Sequence, residues 1–201
     1  MPELQRRSPI AGTFPNGRHG AGQPDDPDVV IAERRGLSLV QVMARRGQEQ
    51  ALAARLGLDP TPGQASEIQA GRALSLAPGA WMLVAQALDD GALYQDLRAQ
   101  LQDVAAVVDQ SHGRTVLRLA GRRARHVLAK GCRLDLHPRV FRPGMCAQTV
   151  IAQVAVLLDQ GDERPTYDLY VFPGYAVDFL EWLTSSAAEF APSQPISARP
   201  G

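Results

Sequence analysis

The chain has 201 residues, 45% hydrophobic and 21% charged, with 21 basic and 21 acidic side chains in formal balance. A chain of this size can bury one compact core or two small ones, and zero net charge excludes a molecule-wide field for nucleic acid or an anionic membrane. No apolar run approaches a membrane span and the N-terminus lacks the apolar stretch of a secretory signal, so the expected location is cytoplasmic.

Residues 1–28 hold five prolines and four glycines with little periodicity, and are expected to form an extended or disordered arm. A folded body follows over residues 29–190. SLVQVMA (38–44) alternates as a strand, and QEQALAARLG (48–57) is a short helix closed by Gly57. Residues 59–71 read as a linker. In residues 72–86, Pro78 and Gly79 suit the centre of a type II turn between two strands. Asp89 or Asp90 can cap the next helix, where Leu93, Leu97 and Leu101 recur at i+4, and VAAVVD (104–109) is a strand. Ser111-His112 then falls at a predicted hairpin.

That β-α-β-β-α-β order starts again at RTVLRLAG (114–121). A helix from Arg122 to Lys130 turns Val127 and Leu128 inward and ends at Gly131. Strands lie within 149–160 and 167–172, and a helix from Tyr175 to about Glu189 carries the stripe Phe179, Leu183 and Ala187. The second pass lacks a clear final strand. The expected fold class is α+β, two split-βαβ (ferredoxin-like, βαββαβ) halves with helices covering antiparallel sheets. PSQPISARPG (192–201) continues a flexible tail assigned to residues 191–201.

Charge is uneven along this order. His112 to Arg142 contains nine Lys/Arg and one acid, Asp135, whereas Asp159 to Phe190 contains seven acids and one base, Arg164. Such opposed halves suit a chain that pairs with itself or with a partner. Arg122, Arg123 and Arg125 read as one solvated helical turn.

The segment KGCRLDLHPRVFRPGMCAQT (130–149) concentrates reactive side chains, including both cysteines and the only lysine. Cys132, Cys146, His126 and His137 are a conceivable zinc set, but thirteen residues between the cysteines is not the tight pair that zinc sites use. Lys130, Arg133 or His137 could lower the pKa of Cys132 if they converged on it. The bland alternative is two small buried thiols at the ends of an ordered loop. Phe141 is the sole aromatic in the basic segment, too few for base stacking. GRHGAG (17–22) has no predicted strand before it and there is no P-loop, so no nucleotide or flavin site is visible. Leu134, Leu136, Val140 and Phe141 would anchor the loop, leaving Arg133, Arg139 and Arg142 for carboxylates.

The run K-G-C-x-L-D-L-H-P-R-V-F-x-P-G-x-C-A-Q-T resembles the gamma subunits of heterotetrameric sarcosine oxidases. So do APGAWMLVA (77–85), residues 114–131 and residues 166–190. The resemblance implies a fold like the folate-binding domain of the glycine-cleavage aminomethyltransferase. It also implies an accessory chain without a catalytic residue, cofactor or metal of its own. The expected partners are alpha, beta and delta subunits carrying FAD, FMN, NAD and tetrahydrofolate, in a complex that demethylates sarcosine; no nucleic acid and no membrane partner is expected. Lys130, Cys132, Asp135, His137, Arg139, Phe141 and Arg142 are the loop and interface candidates, with the helix 121–130 beside them and Leu136 and Phe141 as apolar anchors. A Lys-Gly-Cys turn also occurs in related folate-dependent proteins that support iron–sulfur enzymes. A stand-alone folate-dependent transferase or iron–sulfur-assembly protein is therefore the alternative.

Overall fold

Alternating burial on both faces of single strands sets the architecture. In β3 (Leu37–Ala44), Leu37 and Leu39 enter one apolar layer while Val40 and Val42 enter another. A strand covered on both sides needs something packed above and below it. The computed structural model describes residues 8–14, 18–22, 27–69, 71–86 and 91–190, and supplies those layers.

Five strands form one sheet in the order β4 (Ala65–Ile68), β5 (Gly71–Ala77), β6 (Ala80–Gln86), β3, β7 (Ala105–Asp109). Six form the other, in the order β1 (Arg18–Gly22), β2 (Pro27–Arg34), β8 (Thr115–Ala120), β11 (Thr166–Val171), β10 (Val154–Asp162), β9 (Cys146–Ile151). All neighbours are antiparallel. Helices α1 (Glu49–Leu56) and α2 (Ala92–Leu101) cover the first sheet through Leu52, Leu97 and Leu101. Helices α3 (Ala124–Ala129) and α4 (Ala176–Ala187) cover the second through Val127, Leu128, Phe179 and Leu183. Leu39, Leu74, Met82, Val116, Leu157 and Tyr170 fill the space between the sheets.

The repeat read from the sequence is present, and the second half does not lack its last strand. β2, from before the first half, pairs with β8 where β7 pairs with β3. The folded body also starts earlier than residue 29: Ile10 and Phe14 are buried in the helix-covered core, and Arg18–Gly22 is a strand. Apolar Ile10 and Phe14 outweigh the local proline content. Residues 1–7, 15–17 and 23–26 of the expected arm, and the tail 191–201, lie outside the described residues.

Further differences are local. The linker 59–71 contains β4. Ser111-His112 is a crossover between sheets rather than a hairpin, because β7 and β8 belong to different sheets. Asp89 and Asp90 lie outside the described residues, and the N-cap of α2 is Gly91, without a side-chain cap bond. Gly131 is not a left-handed cap; Lys130 ends α3 in right-handed geometry. A Cβ on Gly131 would meet Trp182 Cζ2 at 2.6 Å, so glycine is required there for close approach.

Ion pairs cross the middle layer. Asp159 and Asp168 lie directly opposite on β10 and β11, an arrangement that repels unless compensated. Arg34 and Arg118 hold Asp168 at 2.6 and 2.8 Å. Arg72, from the other sheet, grips Asp159 with two bonds of 2.7 and 2.8 Å. That pair joins the two sheets.

Candidate functional site

The loop between α3 and β9 leaves the helix at Lys130 and enters the strand at Cys146. Its equivalent in the first half runs from α1 to β4, and the two meet. Ala65 N–H donates to Gly144 O and Cys146 N–H donates to Gly63 O, both at 2.8 Å. Gly63 and Gly144 share a φ of +83°, which only glycine adopts without strain. Each follows a proline, Pro62 or Pro143. The two Pro-Gly turns are therefore one feature used twice, at the junction of the halves. Before it, the first connection has four residues after Gly57 (58–61) and the second has eleven after Gly131 (132–142).

Lys130 and Cys132 face the protein's own body. Lys130 Nζ donates to Ser186 O and pairs with Glu189 at 2.7 Å, tying α3 to the end of α4. Cys132 is half-buried and bridges to Ile151 through its backbone. Burial pushes its thiol above the ordinary range. Lys130 is turned away, and the hydrogen bond to the Leu134 backbone, which favours the thiolate, is outweighed by burial, so the net direction is away from an activated thiol. Cys146 lies between the sheets while Cys132 packs against the helix-side core. Among the described residues no three His, Cys, Asp or Glu side chains converge as metal ligands.

The rest of the loop is a knot of local bonds. Asp135 Oδ1 accepts from His137 N–H at 2.9 Å, and His137 Nδ1 accepts from Arg139 N–H at 3.2 Å. His137 O accepts from Val140 and Phe141 N–H. Inside this turn, Leu136 and Phe141 are 6% and 5% exposed and belong to the core beneath. They cannot be anchors on another surface, which corrects the sequence expectation. Their burial fixes the loop instead, and Val140, 52% exposed, is its outward apolar residue.

Arg133, Arg139 and Arg142 are exposed, and among the described residues their guanidiniums make no hydrogen bond or ion pair. The helix arginines differ. Arg122 pairs with Asp28 at 2.8 Å, Arg123 lies 5.8 Å from the Phe190 ring centroid, and Arg125 is half-buried beside Tyr167. They are not one solvated turn. The opposed charge runs are thus partly matched within the chain, by Arg118–Asp168 and Lys130–Glu189. Among the arginines of the basic run without an acidic partner, Arg133, Arg139 and Arg142 sit on the loop.

A family model described as sarcosine oxidase, gamma subunit family, matches residues 47–189. The chain belongs to that family. It is 36% identical over 172 residues to the sarcosine oxidase subunit gamma of Arthrobacter sp., covering 81% of this chain and 82% of that one. Identity to the gamma subunit of Corynebacterium sp. (strain P-1) is 32% over 136 residues, 66% of this chain and 64% of that one, so the match spans just under two thirds of that relative. Among solved structures, a chain of the heterotetrameric sarcosine oxidase from Corynebacterium sp. U-96, in complex with pyrrole 2-carboxylate, superposes with a TM-score of 0.81 at 28% identity, covering 94% of this chain and 98% of that one. The glycine cleavage system aminomethyltransferase T from Bartonella henselae gives 0.65 at 17% identity over 87% and 56%, a likeness of fold. The gamma-subunit resemblance of residues 130–149 and the duplicated α+β fold are both borne out.

Sequence reasoning missed three things in this gamma-subunit chain. Pro62-Gly63 and Pro143-Gly144 stand 81 residues apart in the same context, TPGQA and RPGMC, a signal that was available. The Arg72–Asp159 bridge and the burial of Phe141 had no local signal, because each depends on the two halves closing on one another.

Proposed function

We propose that this chain is the non-catalytic gamma subunit of a heterotetrameric sarcosine oxidase, and that it docks on a partner subunit through Arg133, Arg139, Val140 and Arg142. The observation that carries the docking face is the contrast within one loop. Its large apolar side chains turn into the chain's own core while three guanidiniums face outward without an acidic partner. Arginine's planar, weakly hydrated fork suits bidentate pairing with carboxylates at an interface. An acidic surface on the alpha, beta or delta subunit is the fitting counterpart.

In this reading the complex oxidatively demethylates sarcosine to glycine, releases hydrogen peroxide and passes the one-carbon unit to tetrahydrofolate. FAD, FMN, NAD and the folate belong to the partner subunits. This chain contributes a preformed, rigid surface, which lowers the ordering cost of assembly. Co-expression with its partners and purification through a tag on this chain tests the reading. A flavin-coloured complex that oxidises sarcosine is expected, while the chain alone is colourless and inactive. A flavin band retained by the isolated chain, or its own turnover of sarcosine, overturns it.

A further inference from the structure

Four strands stand at sheet edges, and three of them are covered or blunted. β4 and β9 are stitched to neighbouring loops, by Ala65 N–H on Gly144 O, Cys146 N–H on Gly63 O and the Cys132–Ile151 bridge. β1 carries two glycines and a shift of register against β2, features that discourage further pairing. β7 has none of these. Its sequence AAVVD holds no proline, lysine or glycine, and it keeps one register along β3 from Asp109 to Ala105.

Gln110 N–H donates to Leu39 O at 2.7 Å and Arg45 N–H donates to Val104 O at 2.8 Å. Bonded and unbonded pairs alternate in an antiparallel ladder. Ala106 and Val108 therefore turn their N–H and C=O groups to β3, and Ala105, Val107 and Asp109 turn theirs outward. Among the described residues nothing bonds these outward groups. Val107 packs its side chain on the helix side, whereas Val108, opposite Gln41, is 38% exposed on the other face. The repeat shows what such an edge accepts. β2, which holds the place of β7 in the second half, is paired along its outer side by the antiparallel strand β1. Beside β7 that position holds no described residue, which is why one sheet has five strands and the other six.

We propose that the free edge of β7 takes up a short extended segment of a partner subunit as a sixth, antiparallel strand. The proposal rests on the reading of this chain as one subunit of a complex. A second copy offering its own β7 does not fit. α2 lies over β7 more than over any other strand. Paired edges would hold two such helices about 4.8 Å apart, where packed helices need about 8–10 Å. The occupant is a strand with no helix above it. Main-chain bonds to Ala105, Val107 and Asp109 hold it, and an apolar side chain covers Val108. Exposed Asp109 ends β7, and exposed Arg46 stands two residues past Ala44, the partner of Ala105 at its start. A segment that begins with a base and ends with an acid matches both.

Amide hydrogen exchange of the co-purified, flavin-coloured complex, set against this chain alone, tests the proposal. In the chain alone the amides of Ala105, Val107 and Asp109 are expected to exchange freely, with those of Ala106 and Val108 protected. In the complex the first three should slow at least about ten-fold. Val107→Pro, whose lost N–H faces outward, should weaken assembly about five- to ten-fold. Val108→Lys guards the edge with a charge and leaves the β3 ladder intact; it should weaken assembly several-fold, and serves if Val107→Pro fails to fold. A coloured complex in which the three amides stay open overturns the proposal and leaves the subunit reading standing. So does undiminished assembly by folded Val108→Lys. Protection already present in the chain alone, or growing with its concentration, overturns it in favour of the chain's own residues or a second copy. If no coloured complex forms, both readings fall.

Discussion

The two helix-to-strand connections of the repeat occupy equivalent places and do different work. In the first half, residues 58–61 bury Leu58, and Asp59 Oδ1 accepts from Thr61 N–H at 2.8 Å to shape a short turn into Pro62-Gly63. In the second, residues 132–142 bury Leu136 and Phe141 and close the same kind of turn on Asp135, then reach Pro143-Gly144. The junction afterwards is the same in both. The longer connection adds exposed arginines to a frame that is already fixed; in the proposed docking role, function is laid on one copy while the other remains scaffold. The difference teaches that extra length, and not a changed fold, makes the surface.

The comparison breaks first if its shared frame can be removed cheaply. Arg72→Ala would leave Asp159, 1% exposed, without its cation, and should cost about 3–5 kcal/mol in a denaturant melt. A loss under about 1 kcal/mol would mean that the sheets are not joined there. Phe141→Ala should cost about 3–5 kcal/mol as a core deletion. Its measurement is again a melt, and intact stability with lost assembly would return Phe141 to the interface.

Gly63→Ala and Gly144→Ala sharpen the comparison. Both place a side chain at a φ of +83°, and each should lose about 1–2 kcal/mol, by similar amounts if the turns are equivalent. A pH-dependent effect is expected in alkali. Burial raises Cys146 from 9.0 to about 12, so its neutral thiol favours the fold below pH 9. That contribution is lost as pH rises from about 9 to about 12. Over that interval the denaturation midpoint of Cys146→Ala should fall less steeply than that of the unchanged chain.

The halves, their helices and most strands were legible because apolar alternation and i+4 spacing are local. Val127 and Leu128 point inward as read, as do Phe179, Leu183 and Ala187. The closing strand of the second half was not legible, since β2 stands before the first half in the chain. Proline content hid the burial of Ile10 and Phe14. In the candidate loop, the sequence showed which residues gather and not which way they face. Phe141 reads equally as an outward anchor or an inward one until a core lies beneath it. Lys130, charged and apparently available, is taken by Ser186 and Glu189 from a segment 56 residues or more away.

The most direct test is the dissociation constant between this chain and its partner subunits, for the unchanged protein and for Arg133→Ala, Arg139→Ala and Arg142→Ala combined. The account expects affinity to fall at least about ten-fold, with the unchanged protein losing affinity in salt more steeply than the variant. Thermal stability should stay within about 0.5 kcal/mol of the original, because among the described residues none of the three guanidiniums has a bonding partner. Unchanged affinity in a folded triple variant would contradict it.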